Sequence, residues 1–140
     1  MEQSPPPDEE ICMKVLVFVK ATEESEAGGP PDPERMAAMS KFNEALIAAG
    51  ILKDRIMGGL RPTRFAKRVH FSDKNRTVTD GPFTETKELV AGFWLWEVSS
   101  MEEAVEWLKK CPNPMLRDSD VDIRLLYSLE DVTRWKEGRT

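Results

Sequence analysis

A chain of 140 residues, 40% hydrophobic and 32% charged, has the length and balance of one domain that buries its own core. Its formal net charge of −5 argues against sequence-independent nucleic-acid binding, which needs a basic stripe, and no apolar run reaches the roughly 20 residues of a membrane-spanning helix. The two cysteines, Cys12 and Cys111, give neither a disulfide framework nor a zinc-ligand spacing. They read as reduced thiols in a cytoplasm, with no metal and no cofactor expected.

The opening MEQSPPPDEE has no basic n-region and no apolar h-region, so it is not read as a secretory signal. It also has too little apolar surface to repay ordering, and residues 1–11 read as a disordered tail. A domain over 12–129 follows, with a C-terminal tail over 130–140. CMKVLVFVK predicts a central strand, because Val15, Val17 and Val19 alternate with Leu16 and Phe18 and both faces are apolar. ATEESEAGGPPDP reads as a long polar loop. Asp32 and Pro33 then have the order of an N-cap and a first helical residue. Met39, Phe42, Leu46 and Ala49 fall on one helical face, and Gly50 supplies the stop.

ILKDRIMGGLRP predicts a strand ending at Gly58–Gly59. RFAKRVHFS and RTVT predict an antiparallel hairpin closed by SDKN. Leu89 to Val98 predicts another two-sided strand, with Trp94, Trp96 and Val98 on one face and Phe93 and Leu95 on the other. SSMEEAVEWLKKC is an amphipathic helix with capping-box spacing from Ser100 to Glu103. Met101, Ala104, Val105 and Leu108 make its inner stripe. Val121 to Leu129 predicts the last strand, and the closing EDVTRWKEGRT a tail that can dock as a short helix through Val132 and Trp135. The order is α+β, β-α-β-β-α-β with an added central hairpin, the ferredoxin-like plan. Two helices cover one face of such a sheet. Two-sided apolar strands therefore predict that a second copy of the chain covers the other.

DGPFTETKE, followed by GFWLWEV and EEAVEWLKKCP, resembles the DGPF branch of the YCII-related proteins. AGILKDRIMGGLRPT upstream fits the same branch, and the likeness runs from Met13 to Tyr127. The resemblance implies a ferredoxin-like fold, a dimeric α+β barrel in which two sheets pack face to face, and association with an extracytoplasmic-function sigma factor. It assigns no reaction. The shorter YCII branch carries a His–Asp pair with its histidine on the first helix. Here that helix has none, and Met39 and Phe42 stand in its place.

The chemistry-bearing residues each have a structural reading beside the functional one. Asp80 and Gly81 suit a tight turn, since Gly accepts positive φ and Asp bonds nearby backbone. In a cleft Asp80 is a general base or a ligand contact. Glu85 and Lys87 share a strand face, where such a pair is usually solvated, but within a cleft they would bind a charged small molecule. His70, the only histidine, has a pKa suited to proton transfer, yet no nucleophile stands at motif spacing. Arg61 either forks onto a carboxylate ligand or pins the loop through Asp80 or Glu85. Trp94 and Trp96 read as core or interface anchors before ligand stackers.

Three functions follow, the last a purely structural interaction protein. The first is a homodimeric small-molecule-binding or regulatory module, its ligand small and polar and held by Arg61, Asp80, Glu85 and Lys87, with a sigma factor as protein partner. The second is a general acid/base enzyme using Asp80 with Arg61 or His70.

Overall fold

A computed structural model describes residues 12–138; the expected tail over 1–11 lies outside the described residues. Six strands are β1 (Met13–Lys20), β2 (Met57–Gly59), β3 (Lys67–Ser72), β4 (Asn75–Asp80), β5 (Val90–Val98) and β6 (Val121–Leu125). Four α-helices are α1 (Glu23–Ala27), α2 (Pro33–Ala48), α3 (Met101–Lys109) and α4 (Leu129–Lys136). Four strands pair antiparallel in the order β2-β5-β1-β6, and β3 and β4 form a separate hairpin. This is the ferredoxin-like arrangement with the expected extra hairpin between its second and third strands.

Period-two alternation sets the core. Val15 pairs with Trp96 and Val17 with Trp94 across β1 and β5, and all four are buried on one face. Helix α2 lays Phe42 and Leu46 against them. Phe42 meets Trp94 edge-on at 6.1 Å and 80°, a geometry that adds to plain area burial. Asn43 accepts a 2.8 Å hydrogen bond from Trp94 Nε1, so that indole stays satisfied inside the core. Ala104 carries α3 onto the same face. Leu16, Phe18, Phe93 and Leu95 point the opposite way, and none of them joins this core. They are half-buried, and the two central pairs Leu16–Leu95 and Phe18–Phe93 form one apolar patch.

Local chemistry explains the helix ends. The Asp32 carboxylate accepts from the Arg35 amide and Pro33 opens α2, as expected. Gly50 takes φ +76 just after α2, where a side chain would be strained. Ser100 caps α3 through the Glu103 amide, while Glu103 reaches back to Ser99, one residue earlier than the usual capping box.

Several expectations change. TEESEA is a helical turn, not loop: Thr22 and Ser25 complete a capping box around α1. Ile51 and Leu52 are not strand. Both are buried, and both amides donate to the Leu46 carbonyl, which holds neighbouring side chains on one side as no strand can. Ala49 is exposed, since it is already the C-cap of α2, and Ile47 packs in its place. Val105 sits on the flank of α3, 38% exposed, while Trp107 turns inward. The last strand stops at Leu125; Tyr127 is exposed and meets Trp135 of α4 edge-on at 4.5 Å. No helix among the described residues is long and apolar enough to cross a membrane.

Candidate functional site

DGPF lies where the β3–β4 hairpin rejoins the sheet. Asp80 is the last residue of β4, paired across the hairpin with Lys67, and its carboxylate accepts from Lys67 Nζ at 2.6 Å. Both side chains are well exposed, about 70% for each. The Gly81–Pro82 peptide is cis. Gly81 does not need positive φ; it needs space. A Cβ built there would stand 1.7 Å from the Thr63 carbonyl oxygen. The expected glycine requirement holds, but its cause is close backbone approach.

Thr63 is the hinge pin of this joint. Its hydroxyl accepts from the Phe83 amide at 3.0 Å and donates to the Glu26 carboxylate. The same carboxylate accepts from the Thr63 amide at 3.0 Å. Gly81 N–H donates to the Ala66 carbonyl. Arg64 Nη1 reaches the Glu26 and Ala27 carbonyls at 3.4 Å each. LRPT, DGPF and α1 are thus three walls of one hydrogen-bonded joint. Arg68 stacks over the Phe83 ring at 3.8 Å and closes it from the hairpin side. Sequence reading did not find Glu26 or Thr63. The capping pattern of TEES was the available signal, because it turns Glu26 out of a loop and onto a helix.

Beside the joint a cleft of about 640 Å3 opens between three segments: the end of β1 with the start of α1, residues 84–87, and residues 117–120. The backbone builds it. Lys20 N–H donates to the Asp120 carbonyl and Ala21 N–H to that of Leu89, so the three segments meet at one sheet edge. Lys20 and Lys87 face Glu23, Glu85, Asp118 and Asp120 around it. Arg117 also lines it but is held by Glu24 in an ion pair. Both signs of charge therefore surround a small volume that Thr84, Thr86 and Ser119 also line.

The structure brings Glu85 and Lys87 together in this cleft and leaves Arg61 and Asp80 outside its lining. Arg61 lies over the Phe65 ring at 5.6 Å. Among the described residues it makes no hydrogen bond or ion pair to Asp80 or Glu85. His70 is exposed on β3, opposite Thr77. The remaining reactive groups are the thiols. Burial pushes Cys111 up to about 11 from its ordinary 9.0, and it packs against Met39. Burial, then the Glu97 carboxylate, raises Cys12. Neither has the electropositive setting of a nucleophilic cysteine.

A four-stranded antiparallel sheet with two packed helices, an exposed central hairpin and a motif loop clasped to its neighbours defines a ferredoxin-like α+β domain with an edge cleft. The chain belongs to the YCII-related family, whose domain matches residues 13–120. It is similar to an uncharacterised protein of Rhizobium meliloti (strain 1021), 30% identical over 95 residues that cover 68% of this chain and 75% of that protein.

Proposed function

We propose that the protein is a homodimeric module of the DGPF branch that binds a small polar molecule. The observation that carries the reading is the half-buried apolar patch of Leu16, Phe18, Phe93 and Leu95 on the sheet face opposite the core. A second copy placed face to face would cover it, and apolar burial contributes roughly 25 cal/mol per Å2. The mixed-charge cleft supplies the ligand site. Two lysines opposite four carboxylates, with hydroxyl side chains in the same lining, suit a ligand bearing both charges. An amino acid or amino amide fits this better than a phosphate, which the four acids would repel. Lys87 then takes the ligand carboxylate and Glu85 its ammonium group.

Association with a sigma factor rests on the DGPF resemblance, and a cytoplasmic setting agrees with two free thiols. Thermal-shift screening of amino acids and their amides is the test of the cleft. Stabilisation by a zwitterion that Lys87→Glu abolishes, with Arg61→Ala without effect, is the expected result. Hits unaffected by Lys87→Glu would move the ligand elsewhere.

A further inference from the structure

Helix α1 borders a second cavity of different chemistry. Glu23 faces the mixed-charge cleft, while Glu24 and Ser25 line a separate space of about 520 Å3 bounded by residues 29–31, the first turns of α2, Leu60 and residues 113–116. Its size suits a small molecule. Three of the chain's seven methionines meet there: Met36 and Met39 from α2 and Met115 from the loop before β6. Methionine side chains are soft and adapt to the shape they meet. Pro30, Pro31 and Pro114 stiffen the walls, so little chain entropy is lost when the space is filled. The rim is apolar yet open. Met36 is 55% exposed, Leu60 50% and Leu116 70%, a cluster that solvent disfavours.

One end of this apolar space carries a guanidinium. Arg35 lines it and is half-buried. Its Nη1 donates to the Asn113 carbonyl and its Nε lies 3.9 Å from Asp32. Nη2 makes no hydrogen bond among the described residues. Both lining acids are occupied, Glu24 by Arg117 and Asp32 by the Arg35 amide and side chain. The geometry points to a binding site for a small monocarboxylic acid with an apolar body, its carboxylate on the open edge of Arg35 and its chain among the methionines. The two nearby carboxylates select a singly charged head over a phosphate or dicarboxylate, which would meet more repulsion than one guanidinium offsets.

Methionine-methyl NMR of the full chain, titrated with octanoate and separately with octanol, tests this site. Octanoate should shift Met36, Met39 and Met115 saturably below about 1 mM and leave Met13, Met57 and Met101 in place. Met36→Glu, at an exposed position, should weaken octanoate at least tenfold while the melting temperature holds. Arg35→Gln, which keeps a donor for Asn113, should weaken octanoate about tenfold and octanol less than twofold. The site is overturned by unsaturable shifts, by shifts spread over all methionines, by binding undiminished in Met36→Glu, or by equal losses for octanoate and octanol in Arg35→Gln. These readouts leave the lysine-lined cleft untouched, so the two sites stand or fall separately.

Discussion

At the scale of single residues, the DGPF segment divides its labour unevenly. Asp80 makes a solvent-exposed ion pair, and such pairs contribute little. Asp80→Ala should therefore leave stability within about 0.5 kcal/mol of wild type in urea titrations, smaller than a turn hydrogen bond would imply. Gly81→Ala forces a methyl onto the Thr63 carbonyl, and backbone must move. A loss of about 1–3 kcal/mol is expected in the same titration. Thr63→Val removes the acceptor of the Phe83 amide and the donor to Glu26 at once, and should cost about 1–3 kcal/mol. Equal effects of Asp80→Ala and Gly81→Ala would contradict this division. Cys111 gives a pH signature. Its folded pKa, about 11, lies above the ordinary 9.0, so the unfolded chain ionises first. Its contribution is complete below pH 9 and is lost as pH rises toward 11. Stability measured across that window should fall less steeply in Cys111→Ala than in wild type.

Elements differ sharply in support. Strands β1 and β5 are packed on the core face and paired on both edges, whereas every residue of β3 and β4 is exposed. The hairpin is closed by the two-residue turn Asp73–Lys74, with Asp73 at φ +46, a conformation that aspartate tolerates. Apart from Arg68 over Phe83, it rests on cross-strand pairs such as Val69 with Val78, and Phe71 beside Arg76 at 4.4 Å. Two strands without a core are marginal in water. Amide hydrogen exchange should therefore be at least a hundredfold faster for His70 and Thr77 than for Val17 and Trp94. Comparable protection would mean that another surface covers the hairpin.

For the whole molecule, the apolar patch opposite the core is the feature a lone chain does not explain. Sedimentation at micromolar concentration should give twice the 15.9 kDa chain mass. Phe93→Glu at the centre of the patch should return 15.9 kDa while keeping a cooperative melt, because Phe93 lies outside the core cluster. A wild-type monomer would refute the face-to-face dimer, whatever the variant does.

The sequence by itself determined what depends on near neighbours along the chain. Alternation in Val15–Val19 and Trp94–Val98 set both central strands and their two faces, Asp32 and Ser100 started their helices, and the β-α-β-β-α-β order dictated the sheet. Only the tertiary structure decided what depends on distant residues meeting. Gly81 is glycine because Thr63, far along the chain, brings its carbonyl there. Glu26 belongs to the same joint only once α1 folds over LRPT. The division of the expected ligand residues has the same origin. Glu85 and Lys87 reach the cleft because β1 and the segment before β6 end beside them. Arg61 and Asp80 make no bond to each other: one lies over Phe65 and the other pairs with Lys67 at the open end of the hairpin. Spacing along a chain fixes which face a side chain takes, while the packing of elements fixes what that face meets.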